Sequence, residues 1–180
     1  MPKKAFTPIP PMAELPPAEE INVQEILDKY LTGEIDLICV LGPTASGKTR
    51  YAVQLARQIN ELLAAMPERL PASERTPPTS WAPPPAARGV ARFPIAGNHS
   101  DYHGAEIISA DSRQVYRGMD IGTGKDLNEY EEIPYHLMDI VDAGTKYNIF
   151  EYQRDFEKAY KDIVDRGGIP ILCGGSGLYS

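Results

Sequence analysis

The chain has 180 residues, 42% of them hydrophobic and 24% charged, a composition that supports one globular core. Its formal charge of −7 argues against a large nucleic-acid surface of its own, because phosphate backbones are held by clustered Lys and Arg. No apolar stretch approaches the ~18 residues that span a bilayer, and the start MPKKAFTPIPPM lacks the apolar centre of a secretion signal, so a cytoplasmic protein without membrane attachment is expected.

Prolines divide the chain. Six lie in residues 1–17 and eight in 67–94, and such segments are poor core material. Residues 1–17 are therefore expected to form a mobile tail. Residues 67–103, rich in Pro, Ala, Ser and Arg without periodicity, read as a disordered surface insertion, with Trp81, Phe93 and Ile95 as possible local anchors. The alternative is a partner-binding arm. The core then comes from two parts, 18–66 and 104–180.

In chain order, Val23, Ile26, Leu27, Tyr30 and Leu31 recur at helical spacing and Gly33 supplies a stop. An apolar run at 35–41 reads as a buried strand. It leads into Gly42-Pro43-Thr44-Ala45-Ser46-Gly47-Lys48-Thr49, a complete G-x-x-x-x-G-K-[ST] phosphate loop. Glycines let the backbone wrap with its N–H groups inward, Lys48 adds a mobile positive charge, and Thr49 offers a hydroxyl to Mg²⁺. The helix that follows, 48–63, points its positive end at the same place. Its candidate core positions are Ala52, Val53, Leu55, Ala56, Ile59 and Leu62.

After the insertion the pattern gives strands at 106–110, 136–141 and 169–173, and a helix at 150–166 whose Phe150, Tyr152, Phe156, Tyr160, Ile163 and Val164 read as core. Cys39 and Cys173 fall inside strand-like runs and read as buried thiols, and the three histidines show no ligand spacing. Strands alternating with helices predict an α/β fold: a P-loop NTPase-like three-layer sandwich with a mostly parallel sheet. Ligands in such sheets bind at the carboxyl ends of the strands, where Asp111 and Ser176 follow two of them.

Four segments together, GPTASGKT at 42–49, EIISADSRQVYRGMDIGTGK at 106–125, IPYHLMDIV at 133–141 and GGSGLY at 174–179, resemble the tRNA dimethylallyltransferases. That family transfers a five-carbon prenyl group from dimethylallyl diphosphate to the exocyclic amine of the adenosine beside the anticodon. The resemblance implies that residues 42–49 bind the diphosphate with Mg²⁺ at Thr49, that Asp111 is the general base, and that Ser176, where the family more often has threonine, assists at the diphosphate or the transferring carbon. It also implies that Asp111, Ser112, Arg113 and Gln114 touch the substrate nucleotide, with the amide of Gln114 suited to an adenine edge. Lys125, in a turn resembling Gly-Thr-Ala-Lys, is placed near phosphates or left as a solvated charge. Asp111 also suits a helix cap, and Ser176 a turn.

The family continues well past the glycine-rich turn, so the sheet is expected to be incomplete at its carboxyl-terminal end and the chain to be an amino-terminal portion, inactive alone and monomeric. The basic surface for the tRNA anticodon loop would then lie mostly outside these residues. Two alternatives share the phosphate loop: an enzyme that prenylates free adenine nucleotides, and a small-molecule kinase in which Asp139 holds magnesium. The kinase lacks an arginine-rich lid in this sequence.

Overall fold

In a computed structural model the protein is described at residues 20–43, 45–66, 104–121, 123, 125 and 127–175. The expected tail at 1–17 and insertion at 67–103 lie outside the described residues, as do Thr44 and Ser176.

Helix α1, Val23–Leu31, starts where Asn22 Oδ1 accepts from the Glu25 amide at 3.2 Å and stops just before Gly33, which takes a left-handed φ of 75°. Strand β1, Ile38–Leu41, is shorter than the run 35–41 suggested. Helix α2, Lys48–Ala65, follows the phosphate loop and buries Ala52, Val53, Leu55, Ala56 and Ile59 as its spacing requires. Its last buried position is Leu63, with Leu62 only partly covered.

Strands β2, Ala105–Ser109, β3, Tyr135–His136, and β4, Ile169–Gly174, complete a parallel sheet in the order β1-β4-β2-β3. A short 3-10 helix, Leu127–Tyr130, precedes β3, and helix α3, Ile149–Asp165, precedes β4. Helices α1 and α2 pack with Ile107, Ile169 and Ile171 on one face of the sheet. Helix α3 covers the other through Tyr152, Phe156 and Ile163 against Ile108 and Leu172. Three layers result, with the predicted parallel core between them.

Three expectations need correction. The strand foreseen at 136–141 ends at His136, because Leu137 and Asp139 take φ of 62° and 53°, outside any strand. Their apolar character serves two cores instead: Leu137 faces α3 and Met138 faces α2. Phe150 is 76% exposed. At about 100° per helical residue it stands roughly 200° from Tyr152, on the opposite side from the stripe that meets the sheet. Cys39 is exposed and not buried, since it lies on the face of edge strand β1 turned away from α2, where Leu41 is also 55% exposed.

At the amino ends of the strands, Glu106 is fully buried in the central strand β2. His136 Nε2 lies 2.6 Å from its Oε2, and Arg166 reaches its two oxygens at 2.6 and 3.1 Å. Burial alone would raise this carboxyl, but the bonds from His136 and Arg166 outweigh it and hold it below the usual value of 4.5. A depressed carboxylate adds stability that is complete above its unfolded pKa and lost as pH falls through the folded one. The melting temperature should therefore fall as the pH is taken below the ordinary carboxyl value of 4.5, and less steeply in Glu106→Gln. Equal slopes for the two proteins in a pH series of melts would show that the network carries none of the acid sensitivity.

Candidate functional site

The site is built where β1, β2 and β4 end. Gly47 is the N-cap of α2 with a left-handed φ of 79°, and it offers no side chain to the first amides of the helix. No acidic residue stands in that first turn. The orphan N–H groups and positive end of α2 are thus left for an anion. Ala45, with φ of 61°, shares the left-handed curvature of the loop. Lys48 folds back over it, donating from Nζ to the Pro43 carbonyl at 2.5 Å.

Gly174 and Gly175 close the other side. A Cβ on Gly175 would stand 1.9 Å from the Gly42 carbonyl oxygen and 2.8 Å from both Cε and Nζ of Lys48. One on Gly174 would stand 2.5 Å from the Ala110 Cβ. The end of β4 therefore lies directly against the phosphate loop on one side and against the residue before Asp111 on the other. Ala110 N donates to the Cys173 carbonyl at 2.8 Å, extending the ladder to the foot of Asp111.

Asp111 opens a turn and not a helix: Gln114 N donates to its carbonyl at 3.1 Å and Arg113 N to its Oδ1 at 2.9 Å. Its side chain is 24% exposed, with the Arg113 guanidinium 3.4 Å from Oδ2. So the carboxylate both caps the turn and reaches the surface. Ser112 is half-buried and Arg113 exposed beside it. Gln114 goes inward, its Oε1 accepting from Ser109 Oγ at 2.8 Å, and so braces the turn from below.

Below the loop, Thr49 has two buried neighbours that sequence reasoning missed, Tyr130 and Cys173. Burial pushes the Tyr130 phenol well above its ordinary value, with a hydrogen bond from Thr49 opposing the rise. Burial likewise pushes the Cys173 thiol up to about 11, with Lys48 and Thr49 opposing it and Asp111 adding to it. Cys173 thus lies between the phosphate loop and the carboxylate. Lys125, foreseen near phosphates or as a solvated charge, is not solvated: it is buried and paired with Asp120 and Asp139. That pairing also occupies the aspartate that a kinase would need for magnesium.

A phosphate loop between a parallel strand and its helix, in a three-layer sandwich, defines a P-loop NTPase-like core. Residues 114–180 match the IPP transferase family. The chain is 45% identical over 150 residues to tRNA dimethylallyltransferase 2 of Bacteroides fragilis, covering 81% of this chain and 35% of that one. It is 45% identical over 144 residues to tRNA dimethylallyltransferase 1 of Geotalea daltonii, covering 80% and 33%. The full-length tRNA isopentenylpyrophosphate transferase of Bacillus halodurans superposes with a TM-score of 0.54 at 32% identity, covering 80% of this chain and 33% of that one. Over about four fifths of its length the chain is similar to tRNA dimethylallyltransferases. It spans about a third of the length of these relatives.

Proposed function

We propose that this protein serves transfer of a dimethylallyl group from dimethylallyl diphosphate to the exocyclic amine of the adenosine beside the anticodon of tRNA. The observation that carries the reading is the convergence of the open α2 amino terminus, Lys48 and the Asp111 carboxylate along one sheet edge, joined through Gly174 and Gly175. In the reaction the amine nitrogen bonds to the allylic carbon, the carbon–oxygen bond breaks, and pyrophosphate leaves with both electrons. Negative charge grows on the leaving oxygens, where the loop amides and Lys48 stabilise it. The amine is a weak nucleophile and must shed a proton as it bonds. Asp111 takes that proton.

Thr49 suits magnesium. Its hydroxyl is the hard oxygen that would hold the cation beside the diphosphate. Magnesium bound there supplies charge neutralisation to the leaving group. Ser176 and Thr44 complete the proposed diphosphate site, and Ser112 and Arg113 the nucleotide contacts, with Gln114 supporting them. Among the described residues no helix is long and apolar enough to cross a membrane.

The test is calorimetry with pyrophosphate and magnesium. Lys48→Ala should weaken binding by roughly tenfold to a hundredfold, since charge-assisted contacts to phosphate contribute ~1.5–3 kcal/mol. Equal affinity in the mutant would remove the phosphate site. ATP titrated in parallel tests the kinase reading, which requires a nucleotide to bind more tightly than dimethylallyl diphosphate.

A further inference from the structure

The side chain of Lys125 is fully buried and its ammonium donates to three acceptors: the Tyr116 carbonyl at 2.9 Å, Asp120 Oδ1 at 3.0 Å and Asp139 Oδ1 at 2.5 Å. An ammonium has three N–H groups, so none is left for a phosphate unless one of these bonds breaks. Burial alone would lower its pKa, but Asp139 and Asp120 outweigh burial and hold it raised, which keeps the cation charged.

The three acceptors belong to two different segments. Tyr116 and Asp120 lie on the chain that leaves β2 through Asp111, and Asp139 on the chain that leaves β3. Those segments are laced together by backbone bonds from Asp139 N to Gln114 O at 3.0 Å, from Ile140 and Val141 to Val115 O at 2.9 and 3.0 Å, and from Arg117 N to Val141 O at 2.8 Å. Thr123 Oγ1 donates to the Met119 carbonyl at 2.7 Å and folds the near side of the loop inward. Asp139 holds a left-handed φ of 53°, which a non-glycine residue keeps only when its surroundings over-determine it. Its bond to Lys125 is one such constraint.

We infer that Lys125 is a positioning residue for the proposed site and not a phosphate ligand: by gathering Tyr116, Asp120 and Asp139 around one ammonium, it fixes the segment that presents Asp111, Ser112 and Arg113 at the sheet edge. The inference rests on reading that edge as the diphosphate and RNA site.

Lys125→Met keeps the aliphatic stem and removes the ammonium. Three readouts on the whole chain separate the possibilities: amide hydrogen exchange, calorimetry with magnesium and pyrophosphate, and binding of a fluorescent RNA anticodon stem-loop. Exchange at Arg117, Ile140 and Val141 should quicken by roughly tenfold while amides within β4 stay protected. Pyrophosphate affinity should stay within about twofold and RNA affinity fall roughly tenfold, because the contacts displaced belong to the nucleotide side. A fall in pyrophosphate affinity like that of Lys48→Ala would make Lys125 a phosphate ligand and overturn the inference. Unchanged exchange and RNA binding would overturn it, and so would a uniform loss of protection and of both affinities, the mark of a purely structural residue. Should the Met variant not fold, Asp139→Asn, which keeps the Tyr116 and Asp120 contacts, gives the same split at smaller amplitude. A parent chain that bound neither ligand would refute the proposed function, and the exchange comparison would still decide whether Lys125 holds the segment.

Discussion

Gly175→Ala should weaken pyrophosphate binding by about a hundredfold while leaving a folded protein. The methyl group would lie 1.9 Å from the Gly42 carbonyl oxygen and 2.8 Å from Lys48 Cε and Nζ. Lys48 is flexible and can retreat, but Gly42 is backbone, anchored by β1 behind it and by the turn into α2 ahead. Either the end of β4 withdraws or the phosphate loop opens, and in both cases the amides that would face phosphate lose their common focus. A displacement near 1 Å in a preorganised site costs about a hundredfold. Gly168→Ala is the matched control at the other end of β4, where a Cβ would meet Ile163 Cγ2 at 2.8 Å and the Gly104 carbonyl at 3.2 Å. It should lower the melting temperature and leave pyrophosphate affinity intact. Equal loss of affinity in both variants, measured by calorimetry, would mean that strain anywhere in β4 suffices and that Gly175 is no special wall.

Much of the fold was legible because its elements obey simple periods. The spacing of Val23, Leu27 and Tyr30 and of Ala52, Leu55, Ala56 and Ile59 marks one side of a helix, and all pack against the same face of the sheet. The apolar runs that became β2 and β4 are buried on both faces, as a parallel sheet between helix layers demands. The strand at 136–141 failed for the converse reason. An apolar run shows that side chains are buried and says nothing about backbone sign, and Leu137 and Asp139 turn left-handed so that one residue can serve each core. Phe150 misled because an aromatic at a helix start satisfies composition without satisfying phase.

At the site, the phosphate loop was fully legible because its residue types are dictated by local backbone geometry. What lay beyond reach came from side-chain contacts that no residue pattern marks, whether near or far in sequence. Nothing in the neighbourhood of Tyr130 announces that it will pack beneath Thr49, and Lys125 carries no local mark that Asp120 and Asp139 will surround it. Gln114 has the donor and acceptor pattern for reading a base, but Ser109, five residues earlier on a buried strand, draws it inward. The Gly174-Gly175 pair carries a signal of its own in the sequence. Two glycines leaving a strand toward a phosphate loop also permit close backbone approach, and here that is their use.

Asp111→Asn should separate binding from transfer, in a chimera that continues this chain with the remaining length of a matched relative. Asparagine keeps the Oδ1 that accepts the Arg113 amide at 2.9 Å, so the turn and the folded stability should persist. It cannot take up a proton from the amine. If Asp111 is the base, the nitrogen reaches the allylic carbon without anywhere to send its proton, and the transfer rate should fall by roughly 10²–10⁴-fold. Pyrophosphate affinity should stay within about twofold, because Asp111 adds no positive charge to the loop. The assay uses an anticodon stem-loop and radiolabelled dimethylallyl diphosphate, with the product identified after nuclease digestion. Turnover of the Asn chimera within about threefold of its parent would reduce Asp111 to the cap that its bond to Arg113 already makes it. A loss of pyrophosphate binding alongside turnover would point instead to a collapsed edge, with the carboxylate holding the end of β2 against Gly174 and taking no part in proton transfer.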